Sequence, residues 1–218
     1  MRKIIIIGLL PLVVGCSGYK ARPVGPDTLP TLKNKSLSLV VHKSPGFMAI
    51  TADKDLFTKS GFDAAYAEGN KLVKKMEIHD PADKICKTMA KVISAQYGLS
   101  YNENTIVRSR SKKMGSLVHL ANGRDYLLDV ETVSWSFAYK VNLPDYYVQY
   151  SVKARLIDVN KAKSIGRSSC DYDSVIAGKQ RVSYGKLVEN DAAYIKQALN
   201  DASAYCVQKF KSDFFAGL

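Results

Sequence analysis

Four cysteines, three histidines and one run of cations are the residues of this 218-residue chain whose types can do chemistry. Cys16 closes an apolar segment, whereas Cys86, Cys170 and Cys206 fall inside patterned sequence. His42, His79 and His119 belong to no H-E-x-x-H helix and have no spaced pair of carboxylates beside them, so each reads as a packed or solvated histidine. There is no G-x-S-x-G elbow and no G-x-x-x-x-G-K-[ST] phosphate loop, and Asp171-Tyr172-Asp173 lacks the remainder of a calcium loop. Neither a C-x-x-C pair nor clustered histidine points to a metal centre. These residues lead us to expect a protein that is not an enzyme, with no catalytic residue and no bound metal. Arg108, Arg110, Lys112 and Lys113 crowd a stretch that also holds Ser109 and Ser111. Such a run is either a solvated loop or a patch that concentrates polyanions. It sits in a basic chain, with 32 Lys and Arg against 20 Asp and Glu.

The amino terminus decides which polyanions are relevant. Arg2 and Lys3 precede an apolar run from Ile4 to Val14, interrupted by Gly8 and Pro11 and too short for the about 20 residues that a membrane span requires. It ends in Val13-Val14-Gly15-Cys16, which resembles the lipobox of bacterial prolipoproteins. The resemblance implies cleavage after residue 15, diacylglyceryl transfer to the Cys16 sulfur, and no cofactor other than that covalent lipid. Ser17 in place of an aspartate implies an outer-membrane anchor with the domain facing the periplasm; inner-membrane anchoring is the alternative. Nucleic acid is a poor partner there. Lipopolysaccharide phosphates, anionic lipid and peptidoglycan carboxylates are the expected polyanions, and an envelope protein is the other expected partner.

Export also places three thiols in an oxidising compartment, where they cannot all pair within one chain. Cys86 shares the apolar side of a helix with Ile85, Met89 and Ile93 and is read as buried and reduced. Cys170 and Cys206 are then the disulfide, with Cys86 to Cys206 as the competing pairing.

The elements that position these groups follow from periodicity. Residues 16–36, with Gly18, Pro23, Gly25, Pro26 and Pro30, read as a flexible tether able to reach on the order of 60 Å at about 3.1 Å per residue. Leu37, Leu39 and Val41 alternate as a first strand. A helix is expected over Phe62 to Met76. A second begins with Asp80 as cap and Pro81 at the first position, carries an apolar face through Tyr97, and stops at Gly98. Trp135, Phe137 and Tyr139 alternate with polar residues, as do Val148, Tyr150 and Val152. A hairpin with Asn142 to Asp145 as its loop sets Tyr139 opposite Val148 and Trp135 opposite Val152. Thr132, Ser134, Ser136, Gln149, Ser151, Lys153 and Arg155 then share a wet face, and the aromatic set is core instead of a sugar-stacking platform. The phase reversal before Val133, with Leu128 and Val130 apolar, predicts a bulge, and a further bulge after Ile165 would bring Cys170 onto the core face. Ile195, Leu199, Ala202, Cys206, Phe210 and Phe214 recur as the stripe of a final helix.

The fold expected is α+β, an antiparallel sheet with helices packed on one face, behind a signal peptide (1–15) and tether (16–36), with residues 37–218 as one periplasmic domain. That order resembles a group of uncharacterised Gram-negative lipoproteins and, at fold level, the amino-terminal domain of TolB. Fold analogy does not carry function; the lipid anchor, the tether and the missing catalytic motifs lead us to expect a non-enzymatic envelope adaptor or structural component. The alternatives are a ligand-binding auxiliary lipoprotein of a lipid or solute transporter and, further back, an envelope enzyme.

Overall fold

The computed structural model describes residues 19–54, 58–140 and 143–215. Its strands are β1 (Ser36–His42), β2 (Met48–Ala49), β3 (Ser100–Ser109), β4 (Tyr126–Lys140), β5 (Leu143–Asp158) and β6 (Lys163–Asp173). They are interleaved with helices α1 (Lys59–Lys75), α2 (Ala82–Tyr97), α3 (Met114–Leu120) and α4 (Tyr184–Phe214). The domain is α+β, with one sheet ordered β3-β1-β4-β5-β6 and the short β2 paired with β4. The sheet is mixed and not purely antiparallel: β1 runs parallel to both β3 and β4, while β4, β5 and β6 are antiparallel. Parallel neighbours need crossover connections. Here α1 and α2 lie between β1 and β3, and α3 lies between β3 and β4.

That topology corrects the expectation of helices on one face. The main core joins α2 and α4 to the side of the sheet carrying Leu39, Val130, Tyr150 and Val152. The other side has its own small cluster, in which Leu117 and Ala121 from α3 and its end meet Val40, Leu127 and Ile157. Val40 and Val41 are therefore both fully buried, as befits a strand covered on both faces.

Local chemistry explains the element ends. The Asp80 carboxylate accepts from the Ala82 amide at 2.9 Å, and Gly98 at φ 69° closes α2 in the left-handed conformation. Gly69 is tolerated inside α1 because a Cβ there would lie 2.0 Å from the Phe47 carbonyl oxygen. The stripe of α4 from Ile195 to Phe214 is buried as expected, although the helix is broken at Glu189–Ala192, where Asn190, Asp191 and Ala192 have positive φ.

The hairpin keeps its expected faces but not its expected register. Tyr139 pairs with Tyr146, Phe137 with Val148 and Trp135 with Tyr150. A slip of two residues leaves every side chain on the same face, because the strand period is two. β5 already begins at Leu143, which shortens the loop. Residues 141–142, where part of the expected loop falls, lie outside the described residues. The expected bulge occurs at Val133, between Thr132 and Ser134 in the register, and leaves Val133 exposed. It also turns Thr132 onto the core side, where its hydroxyl bonds Asp80 and Tyr150, so Thr132 does not join the wet face. A second irregularity skips Ile165 and sets Cys170 opposite Val152 on the core face.

The tether expectation needs correction from Tyr19 onward; the signal and residues 16–18 lie outside the described residues. Val24 and Leu32 are buried in the main core, with Leu32 in a 3₁₀ turn at Leu29–Leu32. Arg22 and Arg167 exchange two backbone hydrogen bonds of 2.8 and 2.9 Å, and Val24 donates to the Phe214 carbonyl at 3.0 Å. Gly166 permits this docking, since a Cβ there would meet Val24 Cγ2 at 2.8 Å. Proline and glycine here shape a packed irregular segment.

Candidate functional site

The cysteines are disposed as expected. Cys170 of β6 and Cys206 of α4 are bonded with Cα atoms 5.5 Å apart, and Cys86 is free and buried. Burial pushes the Cys86 thiol well above its ordinary value, so it is a weak nucleophile inside the core. The disulfide ties the last helix to the sheet across a sequence separation of 36. Replacing both cysteines by serine is expected to lower stability by about 2–4 kcal/mol through the freed unfolded chain. Urea denaturation of the oxidised protein and of the double variant measures the loss, and equal midpoints would contradict it.

The basic run does not form one patch, because β3 ends at Ser109 and the chain turns away from the strand direction before Lys112. Arg108 turns towards α2 and pairs with Asp83, whereas Lys112 pairs with Glu131 of β4 on the opposite side. Arg110 and Lys113 are exposed and have no ion-pair partner among the described residues.

A cleft of about 870 Å³ opens where β1 and β3 end, beside the first turn of α2 and the middle of α4. Lys43, Arg108, Arg110 and Lys196 line it, together with Asp80, Asp83 and His79. Arg108 and Lys196 are committed to Asp83 and Asp191, so Lys43, Lys84 and Arg110 are the lining cations without an ion-pair partner among the described residues, Lys84 bonding Asn200 instead. Asp80 is a structural hub. Besides capping α2, it accepts from Thr132 Oγ1 at 2.7 Å, from the Tyr150 phenol at 3.1 Å, and from Ser44 Oγ. Burial, with this carboxylate beside it, holds the Tyr150 phenol well above its usual range. The α2 start, β4, β5 and the segment after β1 are thereby fixed around one carboxylate.

Next to the cleft is a smaller recess of about 390 Å³, walled by His42, Lys43, Ser44, Ser109, Arg110 and Lys112. Behind it His42 Nε2 donates to Asp129 Oδ1 at 2.6 Å, and Arg155 Nε donates to Asp129 Oδ2 at 2.7 Å. This buried His42–Asp129–Arg155 chain was not visible to sequence reasoning. Its only trace is Asp129 between the core residues Leu128 and Val130. Of the other histidines, His79 lines the cleft and His119 is exposed on α3. Trp135, Phe137 and Tyr150 are core and Tyr139 packs against it.

Among the described residues, no group of three or more His, Cys, Asp or Glu is placed to hold a metal ion, and no helix is long and apolar enough to cross a membrane. No protein-family model matches the chain, and no curated protein does. Solved structures show distant similarity. Protein XCC0632 from Xanthomonas campestris is 12% identical with TM-score 0.40, over 88% of this chain and 93% of its own. PelC from Paraburkholderia phytofirmans, a dodecamer, is 10% identical with TM-score 0.34, over 84% and 95%. Lipoprotein GNA1162 from Neisseria meningitidis is 14% identical with TM-score 0.27, over 79% and 99%. Likenesses at this level carry no functional argument.

Proposed function

We propose that this chain is an exported lipoprotein, cleaved after residue 15 and acylated on Cys16, whose single α+β domain serves as a non-enzymatic adaptor facing the periplasm from the outer membrane. The observation that carries the reading is the Cys170–Cys206 disulfide in the core of a chain that opens with a signal-like segment ending in Gly15-Cys16. Structural disulfides belong to oxidising compartments, and a lipid-bearing cysteine keeps such a domain at a membrane. Ser17 supports the outer membrane. Arg110 and Lys113, exposed and without an ion-pair partner among the described residues, supply the contact to envelope polyanions such as lipopolysaccharide or peptidoglycan.

The cleft favours a second reading, a ligand-binding auxiliary of a lipid or solute transporter, since about 870 Å³ falls within the roughly 300–1,000 Å³ of ordinary ligand sites. Radiolabelled fatty acid is expected to enter the wild-type protein and not Cys16→Ser, which stays as uncut precursor in the inner membrane; equal labelling would refute the anchor. Isolation of the intact lipoprotein from membranes separates the two roles. The adaptor brings down an envelope protein in stoichiometric amount, and the auxiliary brings down a small ligand that fills the cleft.

A further inference from the structure

We infer that the domain lies flush on the bilayer, with the sheet side around Tyr19 turned to anionic phospholipid headgroups, instead of standing off on a long tether. The inference rests on the Cys16 reading and specifies the surface that faces the membrane. Its basis is how early in the chain docking begins. The Tyr19 ring lies 4.9 Å from Lys153 Nζ and 5.4 Å from the Arg167 guanidinium carbon, both measured to the ring centroid. Its carbonyl accepts from Ser169 Oγ at 3.5 Å, and the Lys20 carbonyl accepts from Arg167 Nε at 3.2 Å. Arg22 then joins the edge of β6 and Val24 enters the core.

Only Ser17 and Gly18 separate Cys16 from Tyr19. Three residue steps span at most about 11 Å, and polar headgroup layers add only about 5–8 Å to each side of the hydrocarbon. A lipid chain seated in the bilayer through Cys16 therefore holds Tyr19 at the headgroups.

The surface delivered there is cationic. Lys20 and Arg22 are exposed, and Lys153 and Arg167 flank the Tyr19 ring. Four carboxylates share this side: Asp129 is occupied by His42 and Arg155 and Glu131 by Lys112, while Asp171 and Asp173, further along β6, accept from Ser151 Oγ and Gln149 Nε2. Lys20, Arg22, Lys153 and Arg167 have no carboxylate partner among the described residues. Anionic headgroups complement this surplus. The side of the sheet covered by α4 faces away from the membrane, which leaves the outer surface of α4 open to the periplasm.

Paramagnetic relaxation in vesicles tests the arrangement on the full-length, acylated protein. Nitroxide labels are placed one at a time at the exposed positions Ala21→Cys and Ala204→Cys, the second on the outer side of α4. The vesicles contain phosphatidylglycerol, phosphatidylethanolamine and a nickel-chelating lipid. The label at position 21 is expected to relax several-fold faster than that at 204. Inserting about twelve Gly and Ser residues after Gly18 gives a flexible reach of roughly 20 Å, and is expected to reduce the contrast, as is replacing phosphatidylglycerol by phosphatidylcholine. Equal relaxation of the two labels in acylated protein that floats with the vesicles overturns the flush arrangement and leaves the lipoprotein reading standing. Protein that is neither acylated nor vesicle-bound overturns both.

Discussion

Asp129→Ala is expected to destabilise the domain by about 3–5 kcal/mol, the cost of breaking a buried ion pair from one side. The Asp129 side chain is 2% exposed, with His42 Nε2 and Arg155 Nε at 2.6 and 2.7 Å. Alanine leaves the guanidinium without its counter-charge and the imidazole N–H without its acceptor. If the penalty comes from the stranded cation, the double variant Asp129→Ala/Arg155→Leu must lose less than the single variant, because the charge goes with its partner. Urea midpoints for wild type, the single variant and the double variant decide this. A double variant worse than the single would show that Arg155 contributes through packing. The effect reaches beyond stability, since burial raises the Tyr19 phenol above its ordinary value and the Arg155 charge, near enough to act on it, opposes that rise. The amino-terminal segment is expected to loosen in Asp129→Ala, which limited proteolysis before Val24 detects.

The parts of the fold that were legible in sequence are those whose signal is periodic and local. The hairpin faces, the α2 caps, the α4 stripe and the Cys170–Cys206 pair follow from alternation, from helical spacing, or from one bulge that restores parity. The unread parts carry no such period. β3 has Asn102, Glu103, Asn104 and Thr105 at an exposed sheet edge, so its middle resembles a loop. α3 is 7 residues long, less than two full turns. The parallel pairing of β1 was implicit in the adjacent burial of Val40 and Val41, but consecutive apolar residues do not say which strands lie alongside. The basic run is contiguous in sequence and divided in space, because β3 ends at Ser109 in its middle and the chain turns before Lys112. The docked segment from Tyr19 to Lys35 is held by backbone bonds and isolated anchors, a pattern that composition mistakes for linker. The same limit applies to Asp80. Its cap role is written in the Asp-Pro-Ala order, while its bonds to Ser44, Thr132 and Tyr150 depend on which strands pass beside it.

Trp135→Ala is expected to cost about 3–5 kcal/mol as a large-to-small core truncation, whereas Ser134→Ala should stay within about 0.5 kcal/mol of wild type. The two residues are adjacent on β4 and point to opposite sides of the sheet. Trp135 is 4% exposed and packs edge-on against Phe47 at a centroid distance of 5.0 Å, while its indole N–H donates to the Pro45 carbonyl at 2.9 Å. It thus helps pin the segment between β1 and β2 onto the sheet, alongside the bond from the Phe47 amide to Asn70 of α1. Alanine removes the ring, leaves a cavity and strands the Pro45 carbonyl, three losses with the same sign. Trp135→Phe separates them: it keeps an aromatic ring against Phe47 and gives up the hydrogen bond, so it should cost about 1–2 kcal/mol more than nothing and well short of the alanine value. Denaturation midpoints for the three variants test the order Ser134→Ala, Trp135→Phe, Trp135→Ala. A Ser134→Ala loss as large as that of Trp135→Ala would mean that the sheet buries both faces at this point, and that the bulge at Val133 does not set the phase of β4.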